Sequence, residues 1–523
     1  MSAGQSTAPL AWRPVRAVPA VPLLVAAGVL PLIAVVAGQI SIAAFAVIGA
    51  AAIVALTVAT LRWPQPMLVV VALSPIIDRF LLAPLVPANL SLVTRFSSEG
   101  LLGLVSLALL VVSIRRGTFI AAIRHPSTVA LVAFVALSLI SVLVNRVPVT
   151  VAAAGLFFTL DAAVLLYLPR MVGFSHRQVI IAVSVLVTAL GVAALLAIGQ
   201  ALLAPTILGM QGVVGRSGES VRIGSVMRDP NVLGTLLAML LPFALFALGR
   251  RPPRRVLLIL GVSALVLMSA LLLTYSRGSW LGFLAGFVLL ALVIDRRALV
   301  AAIVIGVVAL AVVTWMPRNL LVSRSAGPTQ QVQAFDLMTT TENRIRAVNQ
   351  GKDLRSMFVA NAIPILRDHP LVGVGPGRYG GAVAWDLGTP IYAQYGTNKI
   401  FPTWYDQRTV DNFWLHLLIE AGVLGVLAFM AVIGLVLLQL FAALRAATGS
   451  RYVVLAGLIS AVLVLCVSTG TTMMLEGNTV AFVFWLLLGM ASLYGRWAPA
   501  WTDAFRNPEP VRTAARRVSA TPS

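Results

Sequence analysis

Apolar stretches of about 18 residues or more recur along almost the whole chain, each long enough to cross a hydrocarbon core of about 30 Å. Inside a bilayer a backbone finds no water, so such stretches are stable only with their hydrogen bonds closed internally, as helices. Of the 523 residues, 59% are hydrophobic and only 11% charged, where a soluble protein carries roughly a quarter charged. The chain reads as an all-α polytopic membrane protein. Spans are expected near 20–38, 40–60, 66–83, 99–114, 127–144, 149–169, 178–203, 229–248, 256–274, 279–294, 298–316, 411–441, 453–470 and 478–495, about fourteen in all.

A net charge of +21 would suit a nucleic-acid binder, but the arginines fall mainly in short loops between apolar runs, as positive-inside topology requires. Nucleic acid is therefore not an expected partner; the lipid bilayer is. With the N-terminus inside, the connections holding Arg62, Arg115, Arg116, Arg124, Arg170, Arg177, "GRRPPRR", Arg296, Arg297, Arg445 and Arg451 all lie on one side. Lys352 and Lys399 are the only lysines beside many Arg, Ala and Val, a composition that suggests a GC-rich bacterial genome, so both termini are expected in a bacterial cytoplasm with the chain in the cytoplasmic membrane. The expected layout is a tail at 1–19, helices through 20–316, an extracytoplasmic loop subdomain at 317–410, helices through 411–495 and a tail at 496–523. The one cysteine, Cys466, rules out an intrachain disulfide and a Cys-rich metal site.

Several arginines break the charge rule by facing outward, so orientation does not explain them. Arg277 stands in "LLLTYSRGSWLGFLAGF", at the junction of two apolar runs, with Ser276 placed as N-cap of the second. A helix N-terminus beside a guanidinium offers donors that match phosphate oxygens; snorkelling to the interface, or pairing with a carboxylate, is the other reading of Arg277. Arg216, Arg222 and Arg228 lie in "GRSGESVRIGSVMRDPN", just before another span, where Asp229 or Asn231 is placed to cap the helix with Pro230 in its first turn. Two outward helix starts, both dressed with arginine, suggest a diphosphate site.

In "RDHPLVGVGPGRYGG" the glycines suit a tight turn; the lysine of a P-loop is missing, and His369 stands at a helix end. In "TVDNFWLHLLIEAGVLGVLAF" the chain re-enters the membrane at Asp411 and Asn412; His416 and Glu420 follow, four residues apart on one helix face. Asp411 is placed either as an N-cap or as a reacting group, and Glu420, like Asp161, is an ionisable residue at a costly depth. For Asp161 a hydrogen bond to a neighbouring span is expected.

Four of these segments, "VMRDPNVLG", "LLTYSRGSWLG", "LRDHPLVGVGPGRY" and "DNFWLHLLIEAGVLG", occur in the order and spacing of the O-antigen ligase/polymerase family, which the chain resembles. The resemblance implies a GT-C-like fold with one large extracytoplasmic loop, no metal and no cofactor. It implies too that a glycan moves from a polyprenyl diphosphate carrier to an acceptor hydroxyl on a glycan, lipid or wall polymer. It makes Arg277 the donor-diphosphate ligand and sets Asn412 in the family's motif; Arg216, Arg222, Arg228, Asn231, Ser276, His416 and His369 stand beside them as further substrate-binding candidates from the segments read above. Where the family typically has His-Asn, this chain has Asp411-Asn412. The proton-accepting role thus passes to a carboxylate, and the acceptor class is less defined than the reaction.

The expected activity is an inverting glycosyltransferase of cell-surface polysaccharide assembly, with Trp385 and Trp404 on the loop as candidate sugar-stacking residues. A polymerase of lipid-linked repeats shares the same motifs. A lipid-linked glycan flippase would instead line a path through both faces with cations, and a non-catalytic assembly partner would tolerate loss of Asp411 and Arg277.

Overall fold

The computed structural model describes residues 42–79, 96–203, 213–214, 221–315, 354–401 and 409–495. The expected span at 20–38, both tails, Arg216, Trp404 and the loop's first part lie outside these residues. Ten helices among the described residues are long and apolar enough to cross a membrane, and shorter apolar helices accompany them.

In chain order the helices are α1 (Ile42–Arg62), α2 (Pro64–Ile77), α3 (Ser97–Arg115), α4 (Pro126–Val144), α5 (Val149–Val172), α6 (His176–Leu202), α7 (Pro230–Gly249), α8 (Arg254–Leu273), α9 (Arg277–Ile294) and α10 (Arg296–Trp315). The loop contributes α11 (Leu354–Asp368), and α12 (Phe413–Leu444), α13 (Gly449–Ser468) and α14 (Asn478–Ala491) complete the bundle. A two-residue antiparallel ladder, Val213↔Arg222 and Val214↔Val221, precedes α7, the one exception to an all-helical description among the described residues.

These helices overlap the expected spans from 40–60 onward, with differences at the ends. The stretch expected at 66–83 leaves α-helical geometry after Ile77 and opens into a wider turn through Asp78 and Arg79. The last span stops at Ala491, because Ser492 and Tyr494 turn their carbonyls to the Gln439 amide of α12. α5 tightens into a 3₁₀ turn at Asp161, whose carboxylate accepts from the next backbone N–H, Ala162, at 2.6 Å. Among the described residues that local bond takes the place of the one expected from Asp161 to a neighbouring span.

α7 is the hub. Nearly all of it is buried, against α8, α9, α10 and α13, whereas α10 turns most of its side chains outward to lipid. Between α9 and α13 the fit depends on small residues: Gly278, Gly282 and Gly286 recur every fourth residue. A Cβ on each would strike Thr471, Ser468 and the Val464 backbone in turn. Such stripes let membrane helices approach to backbone contact, where van der Waals packing and interhelical hydrogen bonds replace the missing hydrophobic force. Ser468 and Ser460 use that approach to donate to the carbonyls of Gly278 and Gly286, at 3.3 and 3.0 Å.

The alternation of helices leaves the bundle with two unlike ends. One gathers Arg62, Arg116, Arg124, Arg250, Arg296 and Arg451. The other gathers the starts of α7, α9, α12 and α14 and carries the loop. The loop has its own core of Phe358, Ile365, Tyr379, Ile391, Tyr392 and Phe401.

Candidate functional site

Of the helices that begin at the loop end, α7, α9, α12 and α14 start close together, so their unpaired first-turn N–H groups face one region. Two are closed by side chains. Asp229 Oδ1 accepts from Asn231 N at 2.7 Å and Val232 N at 3.4 Å, with Pro230 in the first turn of α7. Asn412 Oδ1 accepts from Leu415 N at 3.0 Å. The cap of α12 is thus Asn412 rather than Asp411, which frees the aspartate from that role. At α9 and α14 the N-cap residues, Ser276 and Gly477, make no side-chain capping bond.

Between these starts lies a cavity of about 280 Å³, lined by Arg79, Asp229, Asn231, Val232, Thr409, Asp411, Thr472, Met473, Met474, Gly477, Thr479 and Val480. Asp411 stands on its rim with a left-handed backbone, φ 50°, and Arg355 of α11 lies 3.7 Å from its Oδ2. Arg79 reaches in from the end of α2, its Nη1 donating to Met227 O at 3.5 Å.

The expected arginine pair is present in altered form. Arg222 donates through Nε to Thr274 O at 3.2 Å and through Nη2 to Asn231 Oδ1 at 2.7 Å. It therefore ties the Arg277 turn to the start of α7. Ser276 Oγ also donates to Asn231 Oδ1, at 3.0 Å, and meets Ser279 Oγ at 2.8 Å. With its oxygen doubly occupied, Asn231 has its Nδ2 donors left for the cavity. Arg277 is not among the lining residues; the next residue, Gly278, packs on Thr471, the neighbour of Thr472. Arg228 is exposed, with φ 58°, beside Asp229.

Two candidates sit elsewhere. His369 follows α11, its N–H bonded to Ile365 O at 2.9 Å, where the loop docks on α12. His416 is buried at 1% exposure beneath the loop. Its Nδ1 lies 2.5 Å from Tyr379 O, and its Nε2 is 2.6 Å from Glu476 Oε1 and 3.6 Å from Glu420 Oε2. Glu420 in turn accepts from Gly377 N at 2.9 Å and Tyr379 N at 2.8 Å. The pairing of His416 with Glu420 expected from their spacing is there, and Glu476 stands closer. The glycine-rich segment is a dock, not a nucleotide loop: Val374 N and Gly375 N bond Ile419 O and Glu420 O, at 2.9 and 3.0 Å. Trp385 packs on Phe401, ring centroids 5.1 Å apart, inside the loop's aromatic cluster.

Among the described residues no group of three or more His, Cys, Asp or Glu is arranged to hold a metal ion. No curated protein matches the chain. Residues 262–430, from within α8 through the Arg277 turn and the loop to α12, match the family described as O-Antigen ligase. Over that segment the chain is similar to the O-antigen ligase family. The match supports a ligase- or polymerase-type role in polysaccharide assembly at a membrane. Arg79, Asn231, Thr472 and Thr479 line the cavity from outside the matched segment, and Arg222, also outside it, holds Asn231. Sequence reasoning missed Arg79, although a charged pair, Asp78-Arg79, inside an expected span was a signal to follow. Glu476, in "MMLEGNT", had none.

Proposed function

We propose that the cavity is the reaction site of a glycosyltransferase moving a glycan from a polyprenyl diphosphate to an acceptor hydroxyl, on the outer face of the cytoplasmic membrane. The observation that carries this is the meeting, in one cavity of a chain whose residues 262–430 match the O-Antigen ligase family, of a carboxylate held by the loop with an arginine and the open start of α14. The outward assignment rests on charge: the opposite end of the bundle holds the basic short loops.

In this reading the diphosphate lies against Arg79, with the Asn231 Nδ2 donors and the uncapped start of α14 beside it. Arg277 adds its charge from the neighbouring turn, and Arg222 holds Asn231 in place. These donors stabilise the negative charge that grows on the leaving diphosphate as the anomeric C–O bond breaks. Asp411 accepts the acceptor's hydroxyl proton as the new C–O bond forms on the opposite face of the sugar, which inverts the anomeric centre. No metal takes part in the scheme. A cavity of about 280 Å³ lies at the small end of ligand pockets, about 300–1,000 Å³. It suits the reacting ends of two substrates, whose lengths extend under the loop and into lipid.

The test is release of free polyprenyl diphosphate from the lipid-linked oligosaccharide of the host's own membranes, by purified protein in detergent with that lipid fraction as acceptor source. Release by the wild type and loss in Arg79→Ala and Asp411→Asn, with folding intact, is the expected result. Lengthening of lipid-linked chains would assign polymerase, and transfer to another lipid, protein or wall polymer would assign ligase. Intact donor binding with no release would favour a carrier.

A further inference from the structure

The reaction scheme leaves unused the charged cluster where the loop meets the bundle: His416 and Glu420, both buried, and Glu476, partly so. Replacing such a cluster by apolar side chains of similar volume is often neutral for stability, so its presence calls for another explanation. Its position supplies one. The Tyr379 carbonyl that faces His416 Nδ1 belongs to the peptide entering Gly380. Gly380 is pinned at both ends, its N–H donating to Tyr392 Oη at 2.9 Å and its carbonyl accepting from Val410 N at 3.0 Å. The Tyr392 phenol is kept well above its ordinary range by burial and so stays neutral. Gly380 has φ 80°, and a Cβ there would lie 2.7 Å from Val410 and 3.4 Å from the His416 Cβ. Val410, fully buried, is followed directly by Asp411 at φ 50°.

A residue with a Cβ is disfavoured in the left-handed region, aspartate less than most, and persists there where its surroundings impose it. Here they do so from both sides. Val410 hangs on Gly380, and on the other side Asn412 caps α12 while Phe413 N bonds Thr469 O at 3.0 Å. Glu476 belongs to the same frame. Its carboxylate pairs with His416 and packs where a Cβ on Gly381 would lie 2.9 Å away, and the next residue, Gly477, lines the cavity.

We propose that His416, held by Glu476, is a positioning residue for Asp411. It fixes the Tyr379–Gly380 peptide, Gly380 fixes Val410, and Val410 sets where the Asp411 carboxylate stands over the cavity. The inference rests on the reading of Asp411 as proton acceptor, and the experiment separates the two.

Release of polyprenyl diphosphate from the host's lipid-linked oligosaccharide is measured for wild type, His416→Ala, His416→Asn, Glu476→Gln, Asp411→Asn and the double variant Asp411→Asn/His416→Ala. His416→Ala and Glu476→Gln are expected to lower kcat about tenfold to a hundredfold with the donor KM unchanged, as a displacement of about 1 Å does. In His416→Asn the amide nitrogen takes the place of Nδ1, and kcat should recover most of that loss. Adding His416→Ala to Asp411→Asn should lower kcat no further, since residues acting through one group are not additive. Equal factors in the wild-type and Asp411→Asn backgrounds would overturn the proposal, as would equal kcat for His416→Ala and His416→Asn. If the double variant falls below detection, hydrogen exchange decides: the Val410 amide should exchange about tenfold faster in His416→Ala while Tyr395, bonded within the loop core, is unchanged. Unchanged exchange at Val410 would also overturn it. Full activity in Asp411→Asn would instead sink the proton-acceptor reading itself.

Discussion

Each end of the bundle buries a charged cluster, and the two are built in opposite ways. At the arginine-rich end Arg170 is wholly buried, its Nε donating to Ser492 Oγ at 2.6 Å and its Nη2 to Ser127 Oγ at 3.1 Å. Ser127 meets His125 Nδ1 at 2.7 Å, His125 Nε2 meets Gln439 Oε1 at 2.7 Å, and Gln439 donates to the carbonyls of Ser492 and Tyr494. Side chains there bind one another across α4, α5, α12 and the end of α14, and touch the backbone only at helix ends, where His125 accepts from Ser127 N. At the loop end Glu420 accepts from two backbone N–H groups of an irregular segment, and His416 meets a backbone carbonyl. The first cluster fastens helices at their ends, where it also closes the start of α4 and the turn after α14. The second satisfies a backbone that is not helical, which is tolerated near a membrane only where it is buried in protein or lines a cavity. The difference separates charge used for fastening from charge used to shape a site.

Asp411→Asn tests the comparison hardest. It keeps the shape of the rim and removes the proton acceptor, so kcat should fall about 10²–10⁴-fold with thermal stability close to wild type. Arg79→Ala comes next. One preorganised donor to a developing oxyanion is worth about 10²–10³-fold, and the loss should appear in kcat/KM for the lipid donor. Arg79→Lys should restore part of it by charge without the guanidinium fork. Should both arginine variants match wild type while Arg277→Ala does not, the diphosphate lies further toward α9.

Gly422→Ala addresses the dock itself. Gly422 breaks α12 with φ 67° and ψ −176°, and a Cβ would run into the Leu371 carbonyl. That region is open essentially to glycine alone, at a cost of about 1–3 kcal/mol for other residues. The bonds from Val423 N to Pro370 O and Leu424 N to Leu371 O, 3.0 and 3.1 Å, should loosen. The expected readout is faster proteolytic nicking within 369–381, with the helical bundle still monodisperse.

Much of the bundle was legible because the bilayer dictates its period: the span expected at 127–144 is Pro126–Val144, and that at 256–274 is Arg254–Leu273. Local chemistry was legible as well. Asp229-Pro230 reads as a cap and a first turn, and so it folds. The errors have one physical source, contact across long sequence separation. Ser276 is placed to cap α9, yet its hydroxyl turns to Asn231, 45 residues away. Arg222, expected at a phosphate, is drawn to the Thr274 carbonyl 52 residues on. Glu476 meets His416 through a turn that no local pattern marks. Gly278, Gly282 and Gly286 did carry a readable signal, a four-residue stripe, but its partner helix could not be named from it.

The smallest effect tests the other half of the comparison. Ser127→Ala removes the hydroxyl that links Arg170 to His125 and leaves a guanidinium N–H short of an acceptor in a wholly buried place. Another nitrogen of that guanidinium, Nη1, already has no hydrogen-bond partner among the described residues, so the side chain cannot easily turn to share its remaining bonds. A lost hydrogen bond to a charged group is worth about 1.5–3 kcal/mol, and the His125 ring, still held by Gln439, should soften that to the lower end. The expected outcome is a modest fall in the midpoint of thermal unfolding with kcat and donor KM unchanged. A change in kcat would mean that the arginine-rich end is coupled to the cavity through α12 or α14, and that the division between fastening and shaping is not as clean as the geometry makes it.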